Sequence, residues 1–345
     1  MSDTLSVAAV VIGRNEGPRL AACLASIGAD CAPVIYVDSG STDNSLRIAR
    51  DAGAKIVELD LDRPFTAARA RNAGLEQLGA DTALVQFVDG DCTLEPGWIG
   101  TATAFMAEHR EIAALAGRLT ERFPEASIYN RLCDIEWQAD AGEGAETGGI
   151  VMMRRAALDA VGPFDPQLIA GEEPDLCLRL RRAGWKIWRL DTPMARHDAA
   201  MTQFSQFWTR SVRSGWAALE GAMRYADGPE RFNRSRVLSA VIWGLIAPGL
   251  AGAGLIGGAV AALAGWGMAA ALGLGMVASA LMLTVVQAAR LARMRLRRGD
   301  DATLARAYAV LTLASKPAQI IGMARYLRMR GTGRAGRLIE YREQG

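Results

Sequence analysis

ALVQFVDGD, residues 83–91, is an apolar run that stops abruptly on two carboxylates flanking a glycine. A short apolar segment bounded by turn residues reads as a buried strand, here Leu84 to Val88, ending in a tight turn at Asp89-Gly90-Asp91. The same design recurs upstream. Ser6 to Gly13 runs into Arg14-Asn15-Glu16, and Pro33 to Asp38 runs into Ser39-Gly40-Ser41. A third upstream strand is expected at Lys55 to Glu58. Helical periodicity fills the intervals at Pro18 to Ile27, Ser45 to Ala52, Ala67 to Leu78 and Gly97 to Glu108, with Asp43 or Asn44 positioned to cap the second helix. This alternation predicts an α/β fold whose sheet is mostly parallel, with helices on both faces. Ligands in such folds bind beyond the carboxyl ends of the strands, where these polar clusters converge.

The remainder of the chain reads differently. From Val237 to Ala289, 53 consecutive residues carry no Asp, Glu, Lys, Arg or His. About 20 apolar residues cross a bilayer core, so this run predicts two transmembrane helices turning near Gly265-Trp266-Gly267. Small residues at Gly252-Ala253-Gly254 and Gly257-Gly258 favour close helix packing. Arg231, Arg234 and Arg236 precede the run, and five arginines from Arg290 to Arg298 follow it. By the positive-inside rule both ends face the cytoplasm, which predicts a multi-pass protein of the inner membrane with its first domain in the cytoplasm. Residues 203–225 read as an amphipathic interfacial helix, and Leu304 to Leu327 as a second apolar helix, interrupted at Lys316-Pro317, interfacial by preference, with a re-entrant segment or a third short span as the alternatives. The expected organisation is therefore 1–200 catalytic, 201–236 interfacial linker, 237–289 membrane hairpin and 290–345 basic tail.

Charge follows that division. The net charge of +2 combines a tail of +9 over residues 290–345 with about −7 over the rest, which argues against a nucleic-acid partner and favours anionic membrane lipids. Five scattered cysteines with no CxxC pair predict buried, reduced thiols, with neither a zinc site nor a disulfide framework. His109, beside Arg110 at a helix end, reads as solvated.

Asp89 and Asp91 on one turn suit a hard divalent cation, Mg²⁺ or Mn²⁺, completed by substrate phosphates. Alone, such a triplet is an ordinary turn. Its companions are VVIGRNEG at 10–17, VIYVDSGSTDNS at 34–45, ARARNAG at 68–74, TGGIVMMRRAAL at 147–158, VGPFDPQL at 161–168 and GEEPDLCLRLRRAGWKI at 171–187. In these stretches and their order, residues 5–200 resemble the family 2 glycosyltransferases of GT-A fold, in the membrane-anchored subgroup similar to succinoglycan glucosyltransferases. The resemblance implies that Arg14, Glu16, Asp38 and Arg71 bind the nucleotide donor with the DxD motif Asp89-Gly90-Asp91. It also implies that Asp91, Asp89 and His197 serve the metal. The helix-opening acids of 171–175 would supply the base, with Glu173 first and Asp175 second.

The implied activity is inverting, hexosyltransferase-type transfer from a nucleotide-diphosphate sugar, UDP-linked by the family's habit. The acceptor would be lipid-linked, of polyprenyl diphosphate type, or a growing polysaccharide, in cell-surface or exopolysaccharide synthesis. Two alternatives remain open at this stage: an idle sugar-nucleotide-binding membrane scaffold and a processive synthase. Against the second, Gln206-Phe207-Trp208-Thr209-Arg210 has the wrong spacing for a QxxRW motif, and only two clear spans follow.

Overall fold

The computed structural model describes residues 5–63 and 65–332, and divides after Ala200 into two compact units. The first opens with four parallel strands, β1 (Val7–Gly13), β2 (Val34–Asp38), β3 (Lys55–Glu58) and β4 (Leu84–Asp89), in the order β3-β2-β1-β4. Between them lie α1 (Pro18–Ile27), α2 (Ser45–Asp51) and α3 (Ala67–Leu75). Local chemistry explains their starts. Pro18 occupies the first turn of α1, where its missing N–H costs nothing. Thr66 caps α3 by accepting from the Arg69 N–H at 3.1 Å. At α2 Asn44 holds the cap position without a side-chain bond, while Asp43 Oδ1 accepts from the Ser45 N–H at 2.9 Å. α3 ends three residues before the predicted Leu78, because Gln77 and Leu78 bond to carbonyls three residues back and tighten into a turn.

The chain then continues through β5 (Cys92–Leu94), α4 (Trp98–Glu108), β6 (Ile112–Glu121), α5 (Ile128–Trp137), β7 (Gly142–Gly144), β8 (Val151–Arg154), α6 (Arg155–Val161), α7 (Glu172–Arg182) and β9 (Lys186–His197). The sheet extends from β4 through β8, β6 and β9 to β5, with β7 also on β9. β8 is antiparallel to both of its neighbours, and β5 and β7 are antiparallel to β9. The sheet is thus parallel over its first four strands and mixed over the rest. β9 runs twelve residues to His197, held along β6 through several bulges.

Both faces of the sheet are buried. On β1, Val7, Ala9 and Val11 join a core with Leu20, Leu24 and Ile27 of α1 and Trp98 and Met106 of α4. Ala8 and Val10 point the other way, into Ala68 and Leu75 of α3 and Leu176 and Leu180 of α7. Gln86, fully buried on β4, accepts the Trp98 indole N–H at 2.9 Å, which removes the penalty of an unpaired amide.

The second unit is helical: α8 (Phe204–Arg224), α9 (Arg234–Val241), a π-helical segment Ile242–Ile246, α10 (Ala247–Leu263), α11 (Gly267–Arg297) and α12 (Ala302–Thr332). Arg234–Leu263 and Gly267–Arg297 are each long and apolar enough to cross a membrane. They break at Ala264–Trp266, as the sequence predicts. A Cβ on Gly273 would lie 2.6 Å from the Gly254 carbonyl oxygen and from Gly258 Cα, so these glycines allow backbone contact. Gly215 and Gly322 do the same where α8 meets α12. α12 passes unbroken through Pro317, contrary to the predicted interruption. Packing on α8 and on the π-helical segment holds the turn that lacks one backbone bond. The part of the basic tail at 333–345 lies outside the described residues.

Candidate active site

Strand register brings the polar clusters together. Gly13 of β1 pairs with Asp38 of β2, and Ile12 pairs with Asp89 of β4, so three strand ends finish at one level. The loops above them are bonded to one another. Asn15, at φ 55°, accepts from the Thr42 N–H at 2.7 Å, and the Ser45 hydroxyl accepts from the N–H groups of Glu16 and Gly17. Asp38 is 2% exposed and accepts from the N–H groups of Gly40 and Ser41 and the hydroxyls of Tyr36 and Ser41. Its carboxylate therefore builds the rim of the crevice. Glu16 lies across Gly13 and Gly90, either of which would crowd its Cγ at 3.1 Å if it carried a Cβ, and pairs with Arg19 at 2.8 Å. Arg14 stands over the Phe65 ring.

The resemblance assigns Arg71 to donor binding, and here it is 2% exposed and engaged by three carboxylates: Glu173 at 2.9 Å, Glu172 at 3.0 Å and Asp89 at 3.1 Å. Its guanidinium lies over the Phe164 ring, which Asn72 pins through both backbone groups of Phe164. Burial opposes the Arg71 charge, but Glu173, Asp89 and Glu172 together outweigh it and hold the proton more firmly than usual. Three acids around one cation leave the crevice negative.

Glu173 is pushed up to about 7, first by burial and then by Glu172, with Arg71 opposing. A carboxylate poised near neutrality suits proton abstraction. Asp175, the second choice as base, is placed elsewhere. It is 2% exposed and bonds Arg179 at 2.9 Å, and Arg179 in turn clamps the carbonyls of Val161, Gly162 and Pro163. Asp175 braces that loop within the protein interior.

Beside Asp89, Asp91 is 8% exposed with its Oδ2 3.3 Å from His197 Nε2. His197 is the last residue of strand β9. Its Nδ1 is 3.9 Å from Glu121 Oε2, and the Trp137 ring meets it edge-on at 4.6 Å. Glu121 is itself fixed by the N–H groups of Phe123 and Ala199 and by Asn130. A carboxylate and an imidazole at this spacing, in a negative crevice, fit a divalent cation. Asp89, expected as a further ligand, bonds Arg71 through Oδ1. The third donor beside Asp91 and His197 is Cys92, whose thiol burial and Asp91 hold well above its ordinary range.

Four contributors escape a reading of the sequence: Glu172, Gly149, Cys92 and Glu121. A Cβ on Gly149 would lie 2.3 Å from Arg71 Nη2, 3.0 Å from Glu173 Oε1 and 3.2 Å from Asp89 Oδ2. Only a bare backbone fits there. The TGG of 147–149 was the available signal for Gly149, and the doubled acid of 172–173 for Glu172. Cys92 and Glu121 carried none. All five cysteines are buried and free, as expected of reduced thiols, and His109 is half-buried with its ring against Phe105.

Fold and crevice together define the GT-A class. Residues 8–162 match the family described as Glycosyl transferase family 2. Over 171 residues it is 26% identical to the pre-mycofactocin glycosyltransferase of Mycobacterium tuberculosis, taking in 46% of this chain and 36% of that protein. Over 193 residues it is 24% identical to the succinoglycan biosynthesis protein ExoA of Rhizobium meliloti, taking in 51% and 58%. The chain thus spans less than two thirds of the length of each relative. The mannosyltransferase PcManGT from Pyrobaculum calidifontis, solved in complex with GDP-Man and Mn²⁺, shares the fold at a TM-score of 0.57 and 16% identity, over 93% of this chain and 86% of that one.

Proposed function

We propose that the chain is an inverting, divalent-cation-dependent glycosyltransferase. It moves a sugar from a nucleoside-diphosphate donor, a UDP-sugar in the first instance, to a lipid-linked or polysaccharide acceptor at the cytoplasmic membrane face. The observation that carries this reading is the Arg71 guanidinium, which bonds Glu173 of α7 and Asp89 of the DGD turn at once. A base near neutrality and the donor-side acids thereby share one crevice.

In this reaction Glu173 accepts the proton of the acceptor hydroxyl as that oxygen attacks the anomeric carbon. The bond from that carbon to the diphosphate oxygen breaks in the same displacement, so configuration inverts without a second carboxylate nucleophile. Arg71 holds Glu173 in position, and Gly149 leaves room for the assembly. Asp38 and Glu16 shape the pocket for base and ribose, and Arg14 flanks it. Asp91 and His197 would hold Mg²⁺ or Mn²⁺, which when bound supplies positive charge to the leaving diphosphate. The relatives' names, a glycosyltransferase and a succinoglycan biosynthesis protein, support sugar transfer and polysaccharide synthesis as the setting.

Residues 1–200 form the catalytic domain in this reading and 201–236 the interfacial linker. The hairpin built around 237–289 spans the inner membrane and returns the basic residues of 290–345 to the cytoplasm, with 304–327 at the interface. Confinement to the membrane suits a polyprenyl diphosphate-linked acceptor.

The test is release of nucleoside diphosphate by detergent-purified protein from a panel of sugar nucleotides, with Mn²⁺, Mg²⁺ or EDTA, with and without membrane lipid extract. Cation-dependent release that rises with lipid is expected. No release from any donor, or full activity in both Asp91→Ala and Glu173→Ala, overturns the assignment.

A further inference from the structure

Cys92 sits where an enzyme using only a hard cation has no need of sulfur. Its Sγ donates to Asp91 Oδ1 at 3.3 Å, and Asp91 Oδ2 lies 3.3 Å from His197 Nε2. The three donor atoms all fall within 4.8 Å of one another. Register explains the meeting. Cys92 of β5 is directly opposite His197 of β9 in an antiparallel ladder, so both side chains leave the same face of the sheet. Asp91 precedes Cys92 at the turn, and Asp89 bonds Arg71 through Oδ1.

We propose that Asp91, Cys92 and His197 form a site for a borderline-soft divalent ion, Zn²⁺, which competes with Mg²⁺ or Mn²⁺ for the aspartate and the histidine. Tetrahedral bonds of about 2.0–2.1 Å to nitrogen and oxygen and about 2.3 Å to sulfur put neighbouring donors roughly 3.3–3.5 Å apart; here the thiol and the imidazole each lie 3.3 Å from one of the two Asp91 oxygens, and a small closure of the group brings all three donors onto one ion. Hard ions gain little from sulfur, whereas one oxygen, one nitrogen and one sulfur donor select for Zn²⁺ and its analogues Co²⁺ and Cd²⁺. As the metal–sulfur bond forms, the thiol proton leaves to solvent. Three protein ligands leave a fourth position open. Only the competition rests on the transferase reading; the binding does not.

The direct test is X-ray absorption on the full-length, detergent-purified protein loaded with one equivalent of Zn²⁺. One sulfur scatterer at about 2.3 Å is expected, and a shell of nitrogen and oxygen alone overturns the proposal. With Co²⁺ or Cd²⁺ as probe, wild type should show thiolate-to-metal charge-transfer absorption that Cys92→Ser loses. The variant's Zn²⁺ affinity should fall at least about tenfold further than its Mn²⁺ affinity, the latter read from the Mn²⁺ paramagnetic resonance signal. An undiminished band in Cys92→Ser assigns the sulfur to another cysteine and refutes the site, as does an equal loss of both affinities. Neither readout involves sugar transfer, so a failed transfer assay leaves this result standing.

Discussion

Replacing Gly149 by alanine tests the construction of the site with one methyl group. The added Cβ would lie 2.3 Å from Arg71 Nη2, against about 3.4 Å for ordinary contact, so the guanidinium must retreat by about 1 Å. The end of an arginine is usually free to do so, but this one is 2% exposed and held by three carboxylates. Overpacking costs about 1–3 kcal/mol, and the strained hydrogen bond from Nη2 to Asp89 about 1.5–3 kcal/mol. Loss of glycine's freedom in the unfolded chain returns about 0.4–1 kcal/mol. The net expectation is a loss of about 3 kcal/mol, or roughly 6–12 °C in melting temperature for a unit of this size. A 1 Å displacement at the chemistry costs about 100-fold in rate, so kcat/KM should fall by that order. The assays are thermal unfolding in detergent and diphosphate release. A variant melting within about 2 °C of wild type at more than about a third of its activity would refute the packing argument.

Glu173→Gln should lower kcat by about 10²–10⁴-fold with little change in donor KM, measured by diphosphate release under saturating acceptor. In wild type, kcat/KM should fall as pH drops below about 7, where Glu173 takes up its proton, and the Gln variant should lack that limb. Because the folded-state value is raised, wild type should also lose stability as pH rises from about 4.5 through about 7, by at most about 3 kcal/mol, a loss absent in Glu173→Gln. Glu121→Gln should weaken Mn²⁺ binding, read by paramagnetic resonance, because it removes a buried negative charge 3.9 Å from His197 Nδ1. Gly273→Leu should lower the melting temperature sharply in detergent, whereas Gly257→Leu, which meets nothing within 4 Å, should leave it unchanged.

Much of the fold is visible in the chain because β1 to β4 are local events. Each apolar run, its turn and its following helix occupy between 18 and 25 residues, and the carboxylates at 38, 89 and 91 advertise the strand ends. The second half of the sheet is harder to read. β5 and β7 are three-residue strands whose existence depends on pairing with β9, and β9 carries Arg189, Asp191 and Pro193 through bulges that disrupt alternation. The same non-locality hides the chemistry. Nothing near Arg71 in sequence announces that Asp89, Glu172 and Glu173 will engage it, so a donor-facing arm was the natural expectation. Asp175 and Glu173 are indistinguishable as acids in one helical turn. Only the direction of each side chain separates a base in the crevice from a brace for the 161–163 loop.

The Arg71 contacts also set an order of events during synthesis. Its carboxylate partners on α7 are 101 and 102 residues downstream, with Asp89 only 18 away. On a ribosome adding about 5–20 residues per second, the guanidinium waits roughly 5–20 seconds with one acid before the other two exist. Burial of that cation, and closure of α3 against α7, is therefore among the last steps in completing the first unit. A nascent chain cut short before Glu172 would keep its strand ends and its DGD turn but hold an arginine that has every reason to stay in water. The Arg71 cluster is complete only when the acid proposed as the base has been made.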